Sequence, residues 1–186
     1  MPDRDTPLFA PLTARALSLA VLAMGAVVLT SNVLVLYPFN DWLTWGAFTY
    51  PVAFLVSNLI NRRYGPEAAR RVAWFGFALA VLMSIWLATP RIAAGSCIAF
   101  ICAQLLDIAV FDRLRQGNWW RAPLVASACS ASLDTAIFWS ISFAGMSLPW
   151  MTWALGDLAV KLSISLFLLA PFRAMLWKMA PANATR

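Results

Sequence analysis

The sequence contains no histidine and few charged residues, and each shortage limits what the protein can be. Asp, Glu, Lys and Arg make up 12% of the 186 residues, whereas hydrophobic residues make up 62%. A soluble domain carries about a quarter charged residues, so this chain has too few to cover a water-facing surface, and lipid is the expected solvent. Without histidine, and with no nucleophile–base motif, we expect no metal site, no cofactor and no enzymatic activity.

Cysteine is also scarce. The three cysteines are Cys97, Cys102 and Cys129, and all of them lie in apolar stretches. We expect them to be small packing residues rather than a disulfide framework or a zinc site.

Long apolar runs, by contrast, are abundant. A transmembrane helix needs about 20 mainly apolar residues. Six segments approach this length, at residues 17–37, 42–61, 72–88, 92–111, 122–146 and 150–171. They predict an all-α integral membrane protein, a compact bundle of six transmembrane helices within the lipid bilayer, with residues 1–186 forming a single membrane domain.

The basic residues are distributed unevenly between the two ends of these segments. Outside the spans, one end has Arg91 alone. The other end carries Arg4, Arg15, Arg62, Arg63, Arg70, Arg71, Arg113, Arg115, Arg121, Arg173, Lys178 and Arg186. Because cytoplasmic loops are enriched in Lys and Arg, both termini are predicted to be cytoplasmic. These loops explain the net charge of +6, so we expect no nucleic-acid partner.

Four ionisable residues interrupt the predicted spans: Asp107, Asp134, Asp157 and Lys161. Each costs about 2.5–3.5 kcal/mol at the centre of a membrane helix, so such residues face the interior of a bundle and usually have a function. Asp134 lies deepest. Asp157 and Lys161 are spaced i, i+4 in the favourable order, so a self-neutralised pair without a ligand role is as good an interpretation as a binding role. Asp107 could instead reach the membrane interface.

Other polar side chains share the helix faces of these residues. Gln104 precedes Asp107 by three positions, Ser130 precedes Asp134 by four, and Thr135 follows it. Asn58 ends the second predicted span. Carboxylates, amides, hydroxyls and neighbouring aromatic rings suit a flat polar ligand, because carboxylates accept from ring N–H and amino groups while aromatic faces stack. Small-residue packing would explain the serine, but explains the aspartate poorly.

Three sequence blocks, at residues 50–72, 104–115 and 130–138, resemble the queuosine precursor transporter family, also called vitamin uptake transporters. The resemblance implies a six-helix bundle without an ATPase domain that imports 7-deazaguanine bases, such as 7-cyano-7-deazaguanine. It also implies a site formed by Asn58, Gln104, Asp107, Asp134, Thr135 and Lys161. The chain departs from the family at two positions, because members usually have aspartate at Asn58 and many have glutamate at Arg62.

With this resemblance, we hypothesise a multi-pass transporter in the inner (plasma) membrane of a bacterial cell that imports a nucleobase-like small molecule. The expected substrate-binding residues are Asn58, Gln104, Asp107, Ser130, Asp134, Thr135, Asp157 and Lys161, with Asp134 first among them as ligand contact or proton carrier. The alternative is a substrate-capture membrane subunit that works with a separate energising complex. Either function is compatible with a homodimer. A structural membrane subunit would leave the buried charges unexplained.

Overall fold

The computed structural model describes residues 9–34, 37–40 and 43–179, and nearly all of them are helical. The elements are α1 (Ala14–Leu34), β1 (Pro38–Asn40), β2 (Leu43–Thr44), α2 (Gly46–Thr49), α3 (Val52–Tyr64), α4 (Pro66–Leu87), α5 (Pro90–Leu114), α6 (Arg121–Phe143), α7 (Trp150–Phe167) and α8 (Leu169–Met179). The predicted start of the second span at residue 42 lies outside the described residues, as do Arg4 and Arg186 and the side chain of Lys178.

Five helical stretches among the described residues are long and apolar enough to cross a membrane. They are Ala14–Leu34, Pro66–Leu87, Pro90–Leu114, Arg121–Phe143 and Trp150–Trp177. This finding confirms the prediction of a helical, multi-pass membrane protein, although the short β1–β2 hairpin departs from the all-α prediction. The last stretch is divided at Leu168 into α7 and α8, because Pro171 has no N–H to continue the helical hydrogen bonds through that turn.

The second predicted span, 42–61, is not one continuous helix. Its start overlaps the short β1–β2 hairpin, and the helical part is divided into one turn, α2, and the 13-residue α3. The division falls at Tyr50 and Pro51, where the proline ring removes a backbone donor. Alone, α3 is too short for a hydrocarbon core of about 30 Å.

The helix α4 begins at Pro66, ahead of the predicted start of the third span at residue 72. Gly65 takes the left-handed φ of 89°, which glycine adopts without strain, and Pro66 occupies the first helical position. The sequence prediction counted apolar residues only and therefore excluded Arg70 and Arg71. Both are exposed on the first turns of the helix, so the third span is longer than expected.

Small residues allow the helices to approach closely. A Cβ on Gly95 of α5 would lie 2.3 Å from the Ser142 hydroxyl of α6, and one on Gly76 of α4 would lie 2.7 Å from Met24 of α1. Arg91 joins the same ends of α5 and α6, since its guanidinium donates to the carbonyl of Ile141 at 2.7 Å and to that of Ala144. The bundle is therefore tightly packed around the α5–α6 pair.

Candidate functional site: an open polar cavity and a closed polar cluster

A cavity of about 450 Å³ opens at one end of the bundle. Its lining comes from the end where α1, α4 and α6 finish and where α5 and α7 begin, which is opposite to the arginine-rich end. The lining residues are Ser31, Asn32, Leu43, Gly46, Ala47, Tyr50, Ser84, Leu87, Ala88, Thr89, Ile92, Ser96, Ala99, Asp134, Phe138, Trp139, Phe143, Asp157 and Lys161. The volume lies within the usual range for small-molecule sites, and the mixture of apolar walls with a few charged groups is typical of them.

The charged floor of this cavity is a network centred on Lys161. Its ammonium lies 2.9 Å from Asp134 Oδ2 and 2.5 Å from Asp157 Oδ2. Two carboxylates contact one ammonium, which leaves a formal charge of one negative unit. The interpretation of Asp157 and Lys161 as a closed, self-neutralised pair was wrong in one respect, because Asp134 shares the same cation. A buried charge group of this kind is stable only when its remaining lone pairs are hydrogen-bonded.

Neutral donors supply those hydrogen bonds. Thr135 donates to Asp157 Oδ2 at 3.0 Å, and the Trp139 indole N–H approaches the same oxygen at 3.4 Å. Tyr50 donates to Asp134 Oδ1 at 3.0 Å. The hydrogen bonds described for Asp157 all end on Oδ2, which leaves Oδ1 for a ligand in the cavity.

Two aromatic residues of this cavity were not among the expected site residues. Trp139 packs on Phe143 with ring centroids 5.0 Å apart, and Tyr50 lies at the division between α2 and α3 with its ring 5.5 Å from the Lys161 ammonium. The sequence did contain a signal for Trp139, because most other tryptophans fall near span ends, where lipid headgroups favour them, whereas Trp139 lies inside a span. No comparable signal in the sequence indicated the hydrogen bond from Tyr50 to Asp134.

A second group of polar side chains lies nearer the arginine-rich end and is closed to solvent. This inner cluster comprises Ser57, Asn58, Asn61, Gln104, Asp107, Ser127 and Ser130, which are between 0% and 7% exposed. Each of the helices α3, α5 and α6 contributes a pair spaced i, i+3, so one face of each helix points inward. None of these residues lines the cavity.

Hydrogen bonds join the three helices within the inner cluster. Ser57 on α3 donates to Gln104 Oε1 on α5 at 2.5 Å, and Asn58 Nδ2 donates to the Ser127 hydroxyl on α6 at 3.2 Å. Asn61 Nδ2 donates to the carbonyl of Ile108 at 2.9 Å. These contacts fix the mutual rotation of the helices.

Several buried atoms of the inner cluster have no hydrogen-bond partner among the described residues. They are both carboxylate oxygens of Asp107, Oδ1 of Asn58, Oδ1 of Asn61, Nε2 of Gln104 and the hydroxyl of Ser130. Asn58 and Ser127 lie close enough to interact with the Asp107 carboxylate, although outside the geometry of a hydrogen bond. Asp107 is 0% exposed, so the interpretation that it reaches the membrane interface was wrong.

The expected site residues thus divide into two groups. Asp134, Asp157 and Lys161 line the cavity, with Thr135 bonded to them. Asn58, Gln104, Asp107 and Ser130 belong to the inner cluster instead. The sequence predicted which residues are buried and polar, but could not show that they form two separate positions along the bundle.

The arginine-rich end is closed by reciprocal contacts between α3 and α5. Arg115 bonds to Asp112 at 2.8 Å and donates to the carbonyl of Asn61 at 2.6 Å, while Arg62 donates to the carbonyl of Arg115. The Arg115 guanidinium also lies 4.4 Å from the centre of the Phe9 ring. Burial lowers the pKa of Arg115 and Asp112 opposes that shift, so the residue remains a cation. Arg62 takes part in this closure.

The fold and cavity together define a multi-pass membrane protein with a cavity of the size of a small-molecule site. Comparison with known proteins assigns its family. The family model described as "Putative vitamin uptake transporter" matches residues 44–89 and 83–176. No solved structure matches the chain significantly.

Three curated proteins are similar over most of their length. The queuosine precursor transporter of Escherichia coli is 33% identical over 82% of this chain and 82% of its own. The probable queuosine precursor transporters of Haemophilus influenzae and Bacillus subtilis are 35% and 27% identical, over 72% and 74% of this chain and 68% and 73% of their own. The chain therefore belongs to the vitamin uptake transporter family, whose members are transporters and not enzymes, as expected from the residues.

Proposed function

We propose that this protein imports a queuosine precursor, a 7-deazaguanine base such as 7-cyano-7-deazaguanine, across a bacterial inner membrane into the cytoplasm. The observation that carries the proposal is the cavity of about 450 Å³ with a net negative floor. It lies within a chain whose curated relatives are named queuosine precursor transporters. A neutral, donor-rich heterocycle fits such a floor better than an anion does.

The orientation in the membrane is part of the proposal. The arginines at the closed end favour the cytoplasmic side, so the cavity opens to the periplasm. Taken together, α2 and α3 cover residues 46–64 and serve as a divided second span, which gives six spans in a single membrane domain and places both termini in the cytoplasm. Broken helices are tolerated at membrane depth where they line a cavity, and Tyr50 lies at this division.

Recognition of the base follows from the groups that the cavity leaves available. A guanine-like edge presents a ring N–H and an amino group side by side, and a carboxylate accepts from both. Asp157 Oδ1 is available for one such contact, and Asp134 lies on the same cavity floor. The indole of Trp139 and the ring of Phe138 offer apolar faces on which a flat heterocycle stacks.

Beyond this floor the base needs a path to the cytoplasm. We place that path through the inner cluster, where Asn58, Gln104, Asp107 and Ser130 carry unpartnered polar atoms. A buried polar group without a partner costs about 1–3 kcal/mol, so a passing ligand that bonds to these atoms lowers the free energy of the open state. Asn58 keeps this hydrogen-bonding capacity without the charge that an aspartate would add.

Uptake by cells that cannot make 7-deazaguanines tests the proposal. Cells that express the protein should accumulate labelled 7-cyano-7-deazaguanine, and Asp134→Asn should reduce this accumulation by at least tenfold because the cavity floor loses a carboxylate. Arg70→Gln, on the exposed start of α4, is the control and should transport normally. Full transport by Asp134→Asn would exclude the role of that residue, and no uptake by the unmodified protein would overturn the proposal.

Purified protein in liposomes separates the proposal from its alternative. A transporter that works alone should accumulate the base in liposomes without any other protein. Binding without accumulation would instead favour a capture subunit that depends on an energising complex.

A further inference from the structure

Asp107 differs from the other two carboxylates inside the spans, because it has no neutralising cation. Asp134 and Asp157 both pair with Lys161. Among the described residues, no lysine or arginine forms an ion pair with Asp107, which is 0% exposed and has both oxygens without a hydrogen-bond partner. A carboxylate with a full negative charge is strongly disfavoured at such a position.

The charged groups on the helices packed around Asp107 are engaged elsewhere or exposed. Arg62 donates to the carbonyl of Arg115, while Arg115 donates to the carbonyl of Arg62 and pairs with Asp112. On α6, Asp134 pairs with Lys161. The remaining charged side chains of α3, α4, α5 and α6 near this end are Arg63, Glu67, Arg70, Arg71, Arg113 and Arg121. None of them forms an ion pair with Asp107 among the residues that the structure describes.

We propose that Asp107, buried without a cation and with both oxygens unpartnered, binds one exchangeable proton, and that this proton leaves when the inner cluster opens toward the cytoplasm. The carboxylate takes up the proton from water to become a carboxylic acid, and it returns the proton to water on the other side. The coupling of this proton to import rests on the proposed function, whereas the protonation itself does not.

A polar route connects the open cavity to Asp107. Ser127, Ser130 and Asp134 lie at i, i+3 and i+7 on one face of α6, so they form a line from the inner cluster to the cavity floor. The Ser130 hydroxyl has no partner among the described residues and can both accept and donate a proton. Asp134 is paired with Lys161, whereas Asp107 has no cation among the described residues, which assigns the proton-binding role to Asp107.

Infrared spectroscopy of the purified protein in nanodiscs tests the protonation without any transport. The unmodified protein should show the carbonyl band of a buried carboxylic acid at neutral pH, and Asp107→Asn should abolish it. Asp112→Asn is the matched control on the same helix, where the carboxylate is 39% exposed, and should leave the band unchanged. A band that persists in Asp107→Asn, or none at neutral pH in the unmodified protein, would overturn the proposal.

Asp107→Glu covers the case in which the asparagine variant does not fold. Glutamate keeps a carboxyl group in the inner cluster but alters its environment, so the band should remain and shift in frequency. An unshifted band would show that the signal comes from another residue and would contradict the assignment.

Liposome uptake then tests the coupling. Import of one proton with each neutral base should raise accumulation about tenfold for each pH unit of acid-outside gradient, since tenfold corresponds to about 1.4 kcal/mol. Asp107→Asn should accumulate the base no further than the outside concentration. Accumulation driven by a sodium gradient and unaffected by pH, or a normal pH response in Asp107→Asn, would overturn the coupling while leaving the import function intact.

Discussion

Tyr50 donates a hydrogen bond of 3.0 Å to Asp134, and this bond joins the division between α2 and α3 to the middle of α6. The two residues are 84 positions apart in the sequence. The bond holds the inner edge of the cavity at the level where Lys161 and Asp157 meet. Residues on three separate elements therefore depend on one another at the cavity floor.

Removing the hydroxyl of Tyr50 should weaken the hydrogen-bond network of the cavity floor without removing its charged groups. In Tyr50→Phe the ring contacts with Phe54 and Phe100 remain, at centroid distances of 6.0 and 6.1 Å, but Asp134 loses a donor. Hydrogen bonds to charged groups contribute about 1.5–3 kcal/mol, so base affinity or thermal stability in detergent should fall by that order. An unchanged melting temperature together with unchanged binding would show that the bond is unimportant.

Removing the ammonium of Lys161 should be more harmful. Lys161→Met leaves two buried carboxylates next to each other, and breaking a buried pair in this way costs about 3–5 kcal/mol. Thermal unfolding in detergent should show a large loss of stability. The triple variant Lys161→Met, Asp134→Asn, Asp157→Asn should recover much of it, because no unpaired charge remains; failure of this recovery would argue against the network as described.

Trp139 should determine affinity for the base rather than stability. Stacking of a base on an aromatic ring is worth about 1–3 kcal/mol by alanine substitution, so Trp139→Ala should weaken binding about tenfold or more, and Trp139→Phe should weaken it less. Trp177, which is 68% exposed at the opposite end of the bundle, provides the control. Equal effects of Trp139→Ala and Trp177→Ala on binding would contradict a stacking role.

The contact between α5 and α6 offers a test of packing with an internal control. A Cβ at Gly95 would lie 2.3 Å from the Ser142 hydroxyl, so Gly95→Ala should destabilise the protein by about 1–3 kcal/mol. Shortening the opposing side chain in Gly95→Ala, Ser142→Gly should restore part of the loss. Gly156→Ala on α7 meets nothing within 4 Å and should be neutral or slightly stabilising. Thermal unfolding of the three variants checks this order.

Much of the helical arrangement follows from hydropathy, because each apolar run must bury its backbone polar groups within a helix. The second span was predicted less well, because residues 42–61 contain Pro51. Its effect on the helix depends on the groups that surround the backbone carbonyl left without a helical partner. The prediction began the third span at residue 72, after Arg70 and Arg71, because charged residues lower the hydropathy. Both arginines nevertheless fit the exposed first turns of a helix. Hydropathy alone does not distinguish a loop from such a turn.

The candidate site shows the same limits. The unusual position of Asp107, Asp134, Asp157 and Lys161 within apolar runs correctly marked them as buried, since exposure of such groups to lipid is too costly. Which groups pair could not be predicted, because the shared contact of Lys161 with Asp134 depends on how α6 and α7 are rotated against each other. The separation between cavity and inner cluster likewise depends on packing.

The most direct test of the central claim uses a single cysteine in the cavity. Ser96 lines the cavity on α5, so Ser96→Cys, introduced after replacement of Cys97, Cys102 and Cys129, should react with a membrane-impermeant maleimide added from the periplasmic side. We expect 7-cyano-7-deazaguanine to slow this labelling by occupying the cavity, and adenine to slow it much less. Labelling from the cytoplasmic side alone, or an equal rate with and without the base, would contradict a periplasm-facing cavity that binds a queuosine precursor.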